Sequence, residues 1–131
     1  MKYIPLIGRI LFSLIFISSG LSHIFKFSEM SQYTASMGVP FPTAATLFSG
    51  LILLVGGLSI LLGYKVKIGA IILVVFLIPT SFIAHAFWGI EDQMQAQMQM
   101  ILFMKNIAMT GAALMFFYFG TGPLSIEKKE N

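Results

Sequence analysis

The chain has 131 residues, of which 57% are apolar and only 10% are charged. A soluble domain carries about 25% charged residues because its surface must face water. The composition therefore excludes an ordinary soluble globule and indicates a protein whose surface lies largely in lipid. The formal net charge is +3, but its lysines stand at the ends of apolar runs. This pattern differs from the solvated basic patch of a nucleic-acid-binding protein.

The chain contains no cysteine. This excludes disulfides, thiol–disulfide chemistry and cysteinyl iron–sulfur clusters. Any electron transfer would therefore require a bound cofactor or a partner redox protein.

The hydropathy pattern predicts one all-α domain over residues 1–131, an integral membrane bundle of four helices. A spanning helix needs roughly 20 mostly apolar residues. The first apolar segment is longer than the apolar region of a cleavable signal peptide, so we expect it to remain as a helix. Four segments meet the length requirement, with approximate bounds 4–25, 43–63, 68–88 and 100–119. The predicted connections are 26–42, 64–67 and 89–99.

The distribution of Lys and Arg predicts the orientation, because basic residues favour cytoplasmic loops. With four spans, both termini and the 64–67 turn share one side of the membrane. The opposite connections carry Lys26 as their only basic residue. We therefore predict cytoplasmic termini in a multi-pass protein of a bacterial plasma (inner) membrane. The lysines on the predicted cytoplasmic side are Lys2, Lys65, Lys67, Lys128 and Lys129.

Several polar side chains fall near the predicted outer end of the bundle. His23 and His85 each lie near the end of an outward-running helix, and Lys105 lies near the outer end of the fourth. Ionisable groups inside a membrane are costly and point to function. Asn106 adjoins Lys105, and Trp88 lies at the same level. We predict that these five residues bind a cofactor or ligand.

More than one ligand suits these residues. Imidazole, ammonium and amide groups can hydrogen-bond the carbonyl oxygens of a quinone or another small polar molecule. Two histidines on different helices could instead ligate a haem. With two imidazoles and no thiolate, no metal site is predicted. The structural alternative is that the histidines cap helices, Trp88 belongs to an aromatic belt and Lys105 extends toward water.

Three further charged residues are predicted to brace the structure. Arg9 lies about 8 Å inside the cytoplasmic end of the first helix, at 1.5 Å per residue. It could bind carbonyls of residues 120–123, pair with Glu127 or reach lipid phosphates. Glu91 and Asp92 would pair with Lys105 of the fourth helix if the 89–99 stretch folds back.

The sequence also resembles the DoxX family of membrane proteins along nearly its whole length. The first helix carries GRILFSLIFISSG over 8–20, followed by His23 and Lys26. The order and spacing of the other motifs add to the resemblance. They are GVP at 38–40, the glycines at 56, 57 and 63, HAFW at 85–88, FMKNIA at 103–108 and GTGPLSI at 120–126.

The resemblance implies a four-helix membrane protein. DoxX proteins are described as candidate oxidoreductases by kinship with the DoxD subunit of thiosulfate:quinone oxidoreductase, and some relatives are membrane subunits of redox-protective complexes. No catalytic set transfers to this chain. Its His23 stands where the family pattern often has Lys, and Ser125-Ile126-Glu127 stands where the pattern often ends in Ser-Leu-Asp.

Three functional hypotheses follow. The first is a membrane redox component that binds a quinone-like or other small ligand at the outer end. The second is a non-enzymatic membrane subunit or scaffold, in which Lys105 and Asn106 only brace helices. The third is a small-solute carrier, suggested by the similarity of residues 19–25 to residues 81–87. The first hypothesis makes the protein an oxidoreductase component and the second does not. Partner redox proteins and a homo-oligomer are compatible with both.

Overall fold

The computed structural model describes residues 1–127, and this range folds into five α-helices. Four of the helices are long and apolar enough to cross a membrane. This confirms the predicted all-α fold with four spanning segments. Lys128 and Lys129, which contribute to the predicted orientation, lie outside the described residues. The helices are α1 (Tyr3–Phe25), α2 (Phe27–Ser36), α3 (Pro42–Leu62), α4 (Val66–Ala84) and α5 (Gln93–Phe119).

The central helix of the bundle is α3, which packs against α1, α2 and α4, while α4 also packs against α5. Close packing depends on glycines that face different neighbours. Gly50 and Gly57 lie against α1, whereas Gly56 lies against Leu73 of α4. Small residues let helices approach closely in lipid, where hydrophobic association is weak.

The bundle has two distinct ends, which we call the termini end and the α2 end. The termini end holds the start of α1, the α3–α4 turn and the segment after α5, and the α2 end lies opposite. Buried apolar side chains fill the bundle from its middle to the termini end. They are Phe16, Leu53, Ile60, Val66, Ala70, Leu73 and Leu77.

Arg9 ties α1 to the segment after α5 at the termini end. Its side chain is fully buried, and Nη2 donates to the carbonyl oxygens of Pro123 at 3.0 Å and Leu124 at 2.6 Å. Charge-assisted hydrogen bonds are stronger than neutral ones. Arg9 therefore binds one carbonyl of the predicted 120–123 turn, that of Pro123, and the next carbonyl along the chain, whereas the Glu127 carboxylate accepts from a different donor.

The same C-terminal segment is also hydrogen-bonded to the α3–α4 turn. The amide of Ile126 donates to the Leu62 carbonyl at 2.9 Å, and that of Glu127 donates to the Gly63 carbonyl at 3.0 Å. The Glu127 carboxylate accepts from the backbone N–H of Lys65 at 2.6 Å. Together with the Arg9 bonds, these bonds connect α1, the α3–α4 turn and residues 123–127 to one another.

The predicted connection over 26–42 contains a helix, α2. Its ten residues are too few and too polar for the 20-residue criterion that identifies spans. The spacing of Met30, Tyr33, Thr34 and Met37 is nevertheless i, i+3, i+4, i+7, which is typical of one helical face. That spacing is the sequence signal for α2.

Two boundaries also differ from the prediction at the α2 end. α5 begins at Gln93 rather than near 100 because Asp92 caps it: its Oδ1 accepts from the backbone N–H groups of Met94 and Gln95. Gln, Met and Ala are good helix formers whatever their polarity. α4 ends at Ala84 rather than 88, since the apolar residues after it pack against α5 outside the helix.

Candidate ligand-binding cavity

A cavity of about 880 Å³ occupies the half of the bundle nearest α2. Small-molecule sites usually measure about 300–1,000 Å³ and combine apolar walls with a few polar groups. All five helices contribute to its mostly apolar walls. Four of the five residues predicted to bind a ligand line this one cavity: His23, His85, Lys105 and Asn106.

The ring of His23 has a defined hydrogen-bonding role. Its Nδ1 lies 2.7 Å from the carbonyl oxygen of Ser19. A carbonyl only accepts, so Nδ1 carries the hydrogen, and in the neutral ring Nε2 is left as an acceptor. Gly50 lets α1 approach α3 at His23, because a Cβ atom at position 50 would lie 2.8 Å from the His23 Cβ.

His85 stands directly after α4 as its C-cap residue. Its Nδ1 lies 3.0 Å from Oε1 of Gln99. With the amide oxygen accepting, Nδ1 again carries the hydrogen and Nε2 remains an acceptor. Gln99 belongs to the stretch predicted as a connection, so the additional turns of α5 supply the partner that orients this ring.

Asn106 is the most unusual polar residue of the cavity wall. It is only 6% exposed, yet its side-chain amide makes no hydrogen bond with any residue in the range 1–127. Its backbone carbonyl accepts from the Thr110 hydroxyl at 2.8 Å. The fully enclosed side-chain atoms that lack a partner in this range belong to other residues, so the Asn106 amide is accessible from the cavity. It can therefore form hydrogen bonds with a water molecule or a ligand there.

Lys105 precedes Asn106 and also lines the cavity, although its side chain is largely exposed. It lies about 18 Å along α5 from Gln93, at 1.5 Å per residue. Asp92, which caps the helix, is therefore far from it, and Glu91 is exposed in the preceding turn. Within the described chain Lys105 forms no ion pair with either carboxylate, in contrast to the pairing predicted from the sequence.

Trp88 is the one predicted binding residue that lies outside the cavity lining. Its indole belongs to an aromatic cluster beside the cavity, with Phe87 at 5.3 Å and Phe82 and Phe103 at 6.0 Å between ring centroids. Aromatic pairs at these separations stabilise packing. The cluster holds the segment after α4 against α5.

The cavity residues that the sequence did not reveal belong mainly to α2. Met30, Tyr33, Thr34 and Met37 all line the cavity from its α2 end. The hydroxyl oxygens of Thr34 and Thr46 are hydrogen-bonded at 2.8 Å in the buried interface. This bond fastens α2 to α3 over the cavity.

Comparison with known proteins agrees with the family resemblance. The DoxX family model matches residues 4–86, more than half of the chain, and the SURF4 family model matches residues 50–131. Inner membrane protein YphA of Escherichia coli K12 is 30% identical over 124 residues, which cover 95% of this chain and 88% of the relative. Inner membrane protein YqjF of the same organism is 30% identical over 131 residues, covering 96% and 91%.

No solved structure matches the chain. Both relatives are inner membrane proteins, and four helices here are suited to crossing a bilayer. These findings confirm a multi-pass protein of the bacterial inner membrane. The chain belongs to the DoxX family.

Proposed function

We propose that this DoxX family protein binds a small quinone-like molecule in the cavity and serves as a membrane redox component. The observation that carries the proposal is the buried Asn106 amide, which borders the cavity without a hydrogen-bond partner in the described chain. Buried polar groups in folded proteins are nearly always paired. A ligand head group would supply the missing partner.

The other polar groups of the cavity suit the same chemistry. Lys105 and the Asn106 amide can donate to a carbonyl oxygen, whereas the Nε2 atoms of His23 and His85 can accept from a hydroxyl. A quinone presents carbonyl oxygens when oxidised and hydroxyl groups when reduced. The set therefore offers partners to both forms, and the apolar walls suit the ring.

The chain contributes binding groups and has no cysteine for thiol chemistry. In this proposal the protein positions the ligand, and electrons pass between the ligand and a partner redox protein. The Nε2 atoms of His23 and His85 are suited to accept the hydroxyl protons of the reduced ligand, since each Nδ1 already carries its hydrogen toward a protein oxygen.

The proposal is tested by purifying the protein in mild detergent and identifying bound molecules by native mass spectrometry and an optical spectrum. Lys105→Met removes the ammonium group from the cavity. Met104→Leu is the matched control. Met104 is the neighbour of Lys105 on α5, but its side chain is 58% exposed and lies outside the cavity lining. We expect a quinone to co-purify with the wild type and the control but not with Lys105→Met.

Two other outcomes would redirect the function. A haem absorbance band that depends on His23 and His85 would replace the quinone with the haem alternative. If no ligand is found in any of the proteins and added menaquinone-4 does not bind, the redox proposal fails. An unchanged unfolding temperature of Lys105→Met would then favour the non-enzymatic scaffold.

A further inference from the structure

We infer that the ligand carries a long apolar tail, which leaves the cavity between α3 and α4 and lies in the bilayer. The inference rests on the proposed function, because it concerns the ligand of the same cavity. It narrows the ligand class from any small polar molecule to a membrane-dissolved quinone. Three features of the bundle support it.

The first feature is the way α3 and α4 separate toward the α2 end. Near the α3–α4 turn the helices touch closely: a Cβ atom on Gly56 would lie 2.6 Å from Leu73 Cγ, and one on Gly69 would lie 2.6 Å from Ser59 Cβ. Farther from the turn, Ser49 of α3 and Thr80 of α4 both line the cavity. Pro79 lies in this part of α4, where it removes one helical hydrogen bond.

The second feature is the rim of the opening. Three apolar side chains line the cavity and yet are more than half exposed, namely Phe48 on α3 (66%) and Val75 (66%) and Ile83 (54%) on α4. A side chain with both properties must lie where the cavity meets its surroundings. Because all three are apolar and stand on spanning helices, this opening faces hydrocarbon.

The third feature is that the two ends of the cavity are covered. At the α2 end, α2 lies over the cavity and is fastened by the Thr34–Thr46 hydrogen bond. Toward the termini end, the core begins at Phe16 and the rings of Phe12 and Phe116 meet at 5.0 Å between centroids. Asn106 thus lies inside the bundle, whereas Lys105 is exposed at the edge of the cavity, and the apolar rim lies on the lipid-facing side.

This arrangement matches an amphiphile with a polar head and an apolar tail. The head would lie near Asn106 and Lys105, and the tail would pass between Phe48 and Val75. A molecule without a tail would leave the rim contacts unused, whereas a tail in the opening keeps the whole ligand within the bilayer. Substitutions that fill the opening should therefore affect only the tailed ligand.

The test compares menaquinone-4 with menadione, which has the same naphthoquinone ring and no isoprenoid tail. Trp88 is the only tryptophan, and its quenching by either quinone in phospholipid vesicles reports binding. Val75→Phe and Ile83→Phe, singly and together, narrow the opening. Val55→Phe is the control, because Val55 is 56% exposed on α3 but does not line the cavity.

We expect the double variant to bind menaquinone-4 about tenfold or more weakly, which corresponds to about 1.4 kcal/mol. Menadione should bind the double variant and the wild type equally, which also shows that the head site remains folded. The control should not change either affinity. Lys105→Met should weaken binding of both quinones, since it alters the site of the shared ring.

Two results would overturn the inference and are distinguishable. If both quinones bind in a Lys105-dependent way and none of the rim variants changes menaquinone-4 affinity, the tail does not use this opening, although the proposed function stands. If neither quinone binds the wild type in a Lys105-dependent way, the proposed function fails and the inference fails with it.

Discussion

The two ends of the bundle bury polar side chains in different ways. At the termini end, Arg9 lies fully enclosed and its Nη2 donates to two backbone carbonyls. Its other nitrogens and the Ser13 hydroxyl are also enclosed, without protein partners in the described chain and without contact to solvent. At the α2 end, Asn106 and His23 border a cavity of about 880 Å³.

The comparison separates groups that hold the fold from groups that are presented to a ligand. Polar groups enclosed by packing can act only on the protein itself, so a change at Arg9 should alter stability. Polar groups on a cavity wall remain available to another molecule, so a change at Asn106 should alter binding. Four substitutions test this division, in decreasing order of their expected effect on stability.

The largest loss of stability is expected for Arg9→Met. The variant leaves the Pro123 and Leu124 carbonyls without their donor, and hydrogen bonds to charged groups contribute about 1.5–3 kcal/mol each. The variant also removes two enclosed nitrogens that have no partner in the described chain, which offsets part of this loss. We expect the free energy of unfolding in detergent to fall by about 2–3 kcal/mol. Ile10→Met, at a neighbouring lipid-facing position, is the control. Equal free energies of unfolding for Arg9→Met and Ile10→Met would show that the Arg9 bonds do not stabilise the termini end.

The next largest loss is expected for Gly50→Ala, at the α2 end. The added methyl group would meet the His23 Cβ at 2.8 Å, so α1 must shift, and overpacking of this kind costs about 1–3 kcal/mol. Both the unfolding free energy and menaquinone-4 affinity should fall. Gly111→Ala is the control, because no atom lies within 4 Å of a Cβ there. Similar behaviour of the two variants would contradict the close approach of α1 and α3.

A smaller and local loss is expected for Asp92→Ala. Removing the cap from α5 costs about 1 kcal/mol, and the affected turns lie before the apolar part of the helix. Hydrogen exchange of the amides of residues 94–99 should accelerate, while exchange near Thr110 stays unchanged. Glu91→Ala should have no such effect, since Glu91 makes no capping bond in the described chain. If the amides of residues 94–99 exchange at the same rate in Asp92→Ala and Glu91→Ala, the cap does not set the start of α5.

The smallest effect on stability is expected for Asn106→Leu. The amide makes no hydrogen bond within the described chain, so replacing it with an apolar group of similar size should leave the unfolding free energy nearly unchanged. Menaquinone-4 affinity should instead fall by about tenfold, the equivalent of about 1.4 kcal/mol. A variant that loses stability but keeps its affinity would reverse the roles assigned to the two ends.

The α2 end is where the helices differ from the hydropathy-based prediction, because polar residues there are helical and apolar residues are not. The polar stretch before residue 100 is helical because Asp92 caps it and because glutamine favours helix whatever its polarity. The apolar residues after Ala84 leave the helix and contribute their rings to an aromatic cluster. The cap and the helical spacing in α2 are visible in the sequence, whereas the aromatic packing is not.

By itself, the sequence determined the four spanning helices and the level of each polar residue along them. Both follow from local physics: an apolar run of about 20 residues satisfies its backbone as a helix in lipid, and each residue adds a rise of 1.5 Å. His23, His85 and Lys105 could therefore be assigned to one end of the bundle before their surroundings were known.

Only the tertiary structure decided which of these residues share a cavity. The level of a residue along its helix depends on that helix alone. The direction of its side chain and the distance to the next helix depend instead on packing between segments far apart in sequence. Gly50 lets α1 approach α3 at His23, while α3 and α4 diverge from their contact at Gly56. Asn106 therefore lines the cavity and Trp88 lies beside it, because side-chain direction and helix separation arise from contacts that no single segment contains.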